Sequence, residues 1–134
     1  MKSSASARRG CRDCLAAPQR HAGAWFWAEA LDGYHVVPYD DVELARLREM
    51  GVTDPEDDPG ELVEPPSPGQ PRLYFQKVPE PKSVKNRVHL DLRADDVEAE
   101  AARLVELGAT ELHRSPTWNT LRDPQGNEFC VDEP

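Results

Sequence analysis

Two polar residues in the last third of the chain have the types and the spacing that chemistry requires. His89 and Asp91 stand two positions apart in the segment RVHLDLR, where they alternate with apolar residues. Alternate side chains of a strand point to the same face, so the imidazole and the carboxylate should lie together, opposite the buried face. Such a pair can bind a polar ligand or act as a general base. A hydrogen-bonded histidine without a chemical role is the alternative, and the residues alone leave both open.

Two other groups of residues resemble metal or redox motifs but have the wrong surroundings. Cys11 and Cys14 form a single Cys-x-x-Cys. A zinc site would need two more ligands nearby, and a redox pair would need a strand before it and a helix after it. Two reduced thiols are therefore expected. The acidic segment 53–61, TDPEDDPGE, contains two prolines and does not have the ligand spacing of a calcium loop, so it is expected to be a loop between strands.

The elements that position His89 and Asp91 form a βαβββ pattern over residues 87–134. A strand at 87–93, with Val88, Leu90 and Leu92 on its buried face, precedes a helix that Asp95 should cap and Gly108 should end. The segment DPQGN at 123–127 predicts a type I turn between strands 117–122 and 127–132. The apolar residues that should face inward from the helix follow at helical spacing: Val97, Ala101, Leu104 and Leu107.

The first half of the chain repeats this pattern less clearly. Helices are expected at 18–31 and 41–50, and strands at 34–37, 61–64 and 72–78. Residues 1–24 contain no Val, Ile, Thr, Tyr, Phe or Trp, so a first strand at 10–16 is weak or missing. The three consecutive aromatic residues at 25–27 cannot all face one way. They are expected to be partly exposed core aromatics, or to place at least one tryptophan at a subunit contact or over a pocket rim.

Composition limits the classes of partner. The chain has 134 residues, 16 basic and 25 acidic, and a formal net charge of −9. This balance argues against nucleic acid or a membrane surface as a partner, since both favour basic proteins. No apolar run approaches the roughly 20 residues of a membrane span. The N-terminus has no apolar segment typical of a secretory signal, so the expected location is the cytoplasm.

The segments HLDLRADDV and DPQGN resemble the vicinal oxygen chelate superfamily, in particular its glyoxalase-like and bleomycin-resistance-like proteins. The turn matches the family motif Asp-Pro-x-Gly-Asn at Asp123, Pro124, Gly126 and Asn127. The resemblance implies an α+β fold in which two βαβββ modules pair into a half-open barrel around a concave pocket. Residues 1–16 would then be a tail or weak edge strand and 17–134 one domain, with module one at about 17–79 and module two at about 86–134.

The resemblance also implies which positions could hold a divalent metal. His89 matches a ligand of the second module, Gln76 lies near the carboxylate position of the first, and Cys130 occupies the final carboxylate position with Glu128 two residues earlier. The ligand set His89, Gln76 and Glu128 is incomplete, so no cofactor is certain, and Zn, Ni, Mn or Fe are the candidates. The expected pocket residues are Tyr74, Gln76, His89, Asp91, Trp118 and Cys130.

The expected function follows from this incomplete set. The resemblance implies a protein that binds a small organic molecule, with lyase, isomerase or related activity if the site is catalytic and with no catalytic residue assigned. The alternative is a non-catalytic protein that sequesters a small molecule or drug, as bleomycin-resistance proteins do. The resemblance further implies a homodimer. Whether the protein is an enzyme stays open on the sequence.

Overall fold

The helices and strands alternate in the expected α+β order. The structure is a computed structural model that describes residues 22–134. The elements in chain order are α1 (Ala22–Ala30), β1 (His35–Val36), α2 (Asp41–Glu49), β2 (Gly60–Glu64), β3 (Leu73–Gln76), β4 (Leu90–Arg93), α3 (Val97–Glu106), β5 (Thr110–Arg114), β6 (Trp118–Arg122) and β7 (Glu128–Asp132), with a short 3-10 helix at Pro55–Asp57.

The second module forms a four-stranded sheet in the order β4-β7-β6-β5. β4 runs parallel to β7, and the other two pairs are antiparallel. The hairpin between β6 and β7 is closed by the predicted turn, in which the amide of Gly126 donates to the carbonyl of Asp123 at 2.9 Å. Gly126 has a φ of 89° and Gly108, after α3, a φ of 117°, and glycine adopts both without strain. This is the βαβββ unit that the sequence predicts.

The first module contributes a three-stranded antiparallel sheet in the order β1-β2-β3. This order corresponds to β5-β6-β7 of the second module, so the last three strands of each module share one arrangement. α2 and the 3-10 helix are an excursion between β1 and β2. The two sheets stay separate and do not close into a barrel, in agreement with the half-open architecture expected.

A single apolar core joins the two modules through α1. Phe26 and Trp27 of this helix are buried and pack on Phe129 of β7, with ring centroids 5.9 and 4.9 Å from it. The same core contains residues of both sheets, including Val63 and Leu92. The helix also lies against β1 and β2. Phe26 and Trp27 thus belong to the core, while Trp25 is half-buried, so the three aromatic side chains do not all face one way, as the sequence predicts.

Polar contacts reinforce the position of α1. Nε1 of Trp27 donates to Oδ2 of the buried Asp123 at 2.9 Å. Arg103 of α3 donates to the carbonyls of Glu29 and Ala30 at 3.1 and 3.0 Å, which satisfies carbonyls at the end of the helix. Both contacts connect residues more than 70 positions apart, and neither has a local signal in the sequence.

Two predictions near β4 are wrong. Asp96, and not Asp95, caps α3, because its carboxylate accepts from the amide of Ala99 at 3.0 Å. Val88 is 74% exposed and does not belong to a buried face, since the strand begins at Leu90. Leu90 and Leu92 do face the core.

Several predictions lie outside the described residues. They are the tail at 1–16 with its weak strand, the Cys11 and Cys14 pair, and the first turn of the helix expected from Pro18. In residues 22–134, none of the helices is long and apolar enough to cross a membrane.

Candidate functional site

Strand register brings three polar side chains into one row across the second sheet. Asp91 on β4 stands opposite Cys130 on β7, and Cys130 stands opposite Thr120 on β6. Their neighbours along the strands, such as Leu121 and Val131, are fully buried. Because side chains alternate between the two faces, the row lies on the face turned away from the core.

His89 completes a compact cluster with two members of this row. Its Nε2 lies 3.1 Å from Sγ of Cys130 and 3.6 Å from Oδ1 of Asp91. Oγ1 of Thr120 lies 3.3 Å from the same sulfur. His89, Asp91 and Cys130 each place one ligand atom within 4.8 Å of the others. The structure thus gathers three of the six predicted pocket residues in one place.

The surroundings of Cys130 keep its sulfur protonated. Burial raises the pKa of the thiol above its ordinary value, and the carboxylates of Asp132 and Asp91 raise it further, while the hydrogen bond with Thr120 opposes them. The thiolate, and not the thiol, is the nucleophile and the metal ligand. At neutral pH Cys130 is therefore a hydrogen-bonding partner of His89 and a poor nucleophile.

Glu128 is held by an ion pair and a hydrogen bond with Lys82 and Asn86, residues of the linker between the two modules. Its carboxylate lies 3.3 Å from Nζ of Lys82 and accepts from the amide of Asn86 at 3.2 Å. Its own backbone amide, then the Asn86 amide and Lys82, lower the pKa of this carboxyl against the effect of desolvation. Glu128 is not part of the cluster at His89, and its contacts make it an anchor for the linker.

The remaining predicted pocket residues are Tyr74, Gln76 and Trp118. Tyr74 and Gln76 are exposed on β3 and line a groove along the first sheet, which we call the first-sheet groove. It is bordered by Asp58, Glu61, Lys77, Glu80 and Lys82, among others. Trp118 lies on the same face as Thr120 and stacks on His113, with ring centroids 4.5 Å apart.

His89 opens onto a second groove, the linker groove, of about 750 Å³ between the linker and the outer face of the second sheet. Small-molecule sites commonly enclose about 300–1,000 Å³. Its lining consists of Lys82, Ser83, Val84, Lys85, His89, Leu112, Thr120, Arg122, Gln125, Gly126 and Glu128. Lys82, Lys85 and Arg122 were not predicted from the sequence. The two lysines of the segment PEPKSVKN at 79–86, three residues before His89, were the available signal.

The donor set fits some metals better than others. The resemblance to vicinal oxygen chelate proteins implies a hard divalent ion held by carboxylates and imidazoles, and of the matched positions in this chain only His89 supplies such a ligand. Nitrogen, oxygen and sulfur donors, as in His89, Asp91 and Cys130, instead suit zinc, which accepts three protein ligands at catalytic sites. Zinc binding would have to overcome the raised pKa of the Cys130 thiol.

Comparisons with known proteins agree with this fold. A family model described as "Glyoxalase-like domain" matches residues 12–131. No curated protein sequence matches the chain. Solved structures that resemble it include a glyoxalase/bleomycin resistance protein/dioxygenase family enzyme from Burkholderia phytofirmans PsJN. That enzyme is 14% identical with a TM-score of 0.51, over 84% of this chain and 87% of the other.

Two further solved structures are similar. A putative 3-demethylubiquinone-9 3-methyltransferase, PhnB protein, from Bacillus cereus is 12% identical with a TM-score of 0.51, over 81% of this chain and 86% of the other. TnmS3, an antibiotic binding protein from Streptomyces sp. CB03234, is 27% identical over 73% of this chain and 90% of the other, but its TM-score is 0.37. The first two likenesses support the fold and no activity. Because the family model matches residues 12–131, which is most of the chain, the chain belongs to the glyoxalase-like domain family of vicinal oxygen chelate proteins.

Proposed function

We propose that this protein binds a small organic molecule in the linker groove, without converting it. The observation that carries the proposal is the mixed lining of the groove. His89, Thr120 and Arg122 offer hydrogen-bonding groups beside the apolar side chains of Val84 and Leu112. A concave surface that combines apolar area with a few polar groups is typical of small-molecule sites.

The exposure of the apolar residues supports a bound molecule. Val84 is 74% exposed and Leu112 is 44% exposed. A ligand that covered both would remove apolar surface from water, at a gain of about 25 cal/mol for each Å² buried. Thr120 and His89 would then fix its orientation through hydrogen bonds.

The chemistry of the same residues favours binding over catalysis. A reaction needs an ionised nucleophile, a suitable general base or a complete metal site. The pKa of the Cys130 thiol is raised, and Glu128 is engaged by Lys82 and Asn86. His89 remains suited to proton transfer, but its shortest contact in the cluster, at 3.1 Å, is with the protonated thiol of Cys130.

A fragment screen by NMR tests the proposal. Planar aromatic fragments are added to ¹⁵N-labelled protein with and without chelator, and each sample is followed for consumption of the fragment. We expect saturable binding at one site per chain, shifts in the amides of His89 and Thr120, no turnover and no effect of chelator. Turnover that chelator abolishes would contradict binding without conversion.

Matched substitutions locate the site. His89→Ala and Thr120→Val should weaken binding about tenfold each, because each removes a hydrogen bond to the ligand. His35→Ala and Thr110→Val change the same residue types at exposed positions outside the groove and should leave affinity unchanged. Equal effects of the two sets of variants would refute the assignment to this groove.

A zinc-dependent function is the second candidate, favoured by the convergence of His89, Asp91 and Cys130 within 4.8 Å. Cobalt(II), a spectroscopic substitute for zinc, is titrated into a variant in which Cys11 and Cys14 are serine. A sulfur-to-cobalt absorption band at one equivalent, lost in Cys130→Ser, would support this candidate. Absence of the band up to a large excess of metal would exclude Cys130 as a ligand.

A further inference from the structure

The linker groove carries a charge opposite to that of the whole protein. The chain has a formal net charge of −9, yet the groove is lined by three permanent cations, Lys82, Lys85 and Arg122, and a single carboxylate, Glu128. Acidic residues outnumber basic ones by 25 to 16 in the chain. The concentration of positive charge in this groove is therefore a local property of the fold.

Glu128, the carboxylate of the groove, pairs with Lys82 and does not neutralise Lys85 or Arg122. Glu128 stands opposite Arg122 in the strand register, but its carboxylate contacts Nζ of Lys82 at 3.3 Å and the amide of Asn86 at 3.2 Å. Lys85 and Arg122 form no ion pair with any residue in the range 22–134. A groove bounded by protein on both sides concentrates the field of such charges and attracts counter-ions.

The first-sheet groove provides an internal comparison. Among its charged lining residues Asp58, Glu61 and Glu80 outnumber Lys77 and Lys82. Both grooves share the linker residues Lys82, Ser83 and Val84, so the linker alone does not determine the sign. The difference in net charge between the two grooves comes partly from Lys85 and Arg122, which line the linker groove and not the first-sheet groove.

We propose that the ligand of the linker groove is a small organic anion with a carboxylate or phosphoryl group. This inference rests on the proposed function and adds the chemical class of its ligand. The guanidinium of Arg122 can form two parallel hydrogen bonds with either group, and Lys85 adds a second positive charge. The apolar part of the ligand covers Val84 and Leu112.

Three phenyl compounds, of which benzoate and benzamide are isosteric and benzylamine carries the opposite charge, separate charge from shape. Benzoate, benzamide and benzylamine are titrated into the ¹⁵N-labelled full chain at low ionic strength and again at high ionic strength. Benzoate should bind about tenfold more tightly than benzamide, as expected for one added charge-assisted hydrogen bond, and benzylamine should not bind. Higher ionic strength should weaken benzoate alone, because salt screens exposed charges. Phenyl phosphate, titrated in parallel, shows which of the two anionic groups the groove prefers.

Charge-matched variants assign the effect to the groove. Arg122→Gln and Lys85→Gln should each reduce benzoate affinity several-fold and reduce benzamide affinity much less, because only benzoate loses a charge-assisted contact. Arg93→Gln removes the same charge from an exposed residue of the second sheet outside the groove and should have no effect. Retained far-ultraviolet circular dichroism establishes that each variant is folded.

The outcomes distinguish this inference from the proposal on which it rests. If benzamide binds as tightly as benzoate, or if Arg93→Gln weakens benzoate as much as Arg122→Gln, the anion preference is overturned while small-molecule binding stands. If benzoate and phenyl phosphate shift no amide of the groove at millimolar concentration, the inference is also overturned. The proposed function fails with it only if the neutral fragments show no binding at the groove either.

Discussion

The buried hydrogen bond between Trp27 and Asp123 offers the sharpest test of how the fold is assembled. Asp123 is 3% exposed, and its Oδ2 accepts from Nε1 of Trp27 at 2.9 Å. Its Oδ1 accepts from the amides of Gln125 and Asn127, each at 2.9 Å. The carboxylate of Asp123 thus stabilises the turn between β6 and β7 and also bonds this turn to α1. The perturbation is Asp123→Asn, which keeps the shape of the side chain and one acceptor oxygen.

The contacts of each oxygen set the expected cost. In Asp123→Asn the remaining oxygen can still serve the two backbone amides of the turn, but an NH₂ group then faces the indole N–H of Trp27 and the side-chain amide of Asn127, which donates to Oδ2 at 3.0 Å. A buried donor without an acceptor costs about 1–3 kcal/mol, and hydrogen bonds to a charged group contribute about 1.5–3 kcal/mol. We expect Asp123→Asn to lower the free energy of unfolding by about 2–4 kcal/mol.

A double-mutant cycle isolates the contact. Trp27→Phe removes the donor and should cost about 2 kcal/mol on its own. In the Asp123→Asn background it should cost much less, because the indole N–H then faces no acceptor, which gives a coupling of about 1.5–2 kcal/mol. The measurement is urea unfolding followed by far-ultraviolet circular dichroism, with the slope checked for constancy. Trp118→Phe, at an exposed tryptophan, is the control and should change stability by no more than about 0.5 kcal/mol. Additive costs, or a cost of Asp123→Asn comparable to this control, would refute the role of the bond.

Three further predictions concern other parts of the structure. Arg103→Met should lower the free energy of unfolding by about 3 kcal/mol in the same assay. The reason is that Glu100, 3% exposed, loses its ion pair with Arg103 and the carbonyls at the end of α1 lose their donor. A change below about 1 kcal/mol would contradict this. Gly126→Ala should cost about 1–2 kcal/mol because of its φ of 89°, whereas Gly69→Ala, which meets no atom within 4 Å, should cost about 0.5 kcal/mol or less. In a variant whose other two cysteines are serine, Cys130 should react with iodoacetamide more slowly at pH 7 to 8 than an unfolded thiol peptide, because its raised pKa lowers the thiolate fraction. The rate should rise with pH, and equal rates in the folded and the urea-unfolded protein would contradict the expectation.

Local patterns in the sequence were sufficient to predict the second module. Its helix is marked by periodic apolar residues and by Gly108, and its hairpin by the turn at Asp123, and both signals act within a few residues. The capping residue was misplaced by one because Asp95 and Asp96 are adjacent. Only the direction of the carboxylate, toward the amide of Ala99, distinguishes them. The exposure of Val88 depends on where the linker meets the sheet, which no local pattern encodes.

The candidate site depends more on contacts that are distant in sequence. Alternation within one strand placed His89 and Asp91 together, and the contact of His89 with Cys130 then required the parallel register of β4 and β7. The same alternation correctly put Glu128 on the face of Cys130, but it could not show that Lys82, 46 residues earlier, holds the carboxylate. Gln76 lies on β3 of the other sheet and lines the first-sheet groove, whereas His89 lines the linker groove; which groove each residue lines follows from how the two modules pack.

The position of α1 has a consequence for how the chain unfolds. This helix belongs to the first module in sequence, yet Trp27, Phe26 and the carbonyls of its last turn are held by Asp123, Phe129 and Arg103 of the second. We therefore expect α1 to unfold cooperatively with the second module, although the linker separates them in sequence. Under native conditions, the amide protons of α1 should exchange with solvent at the same opening free energy as those of β6 and β7. A chain cut within the linker should retain its structure while both pieces stay together, and neither piece should keep α1 protected alone.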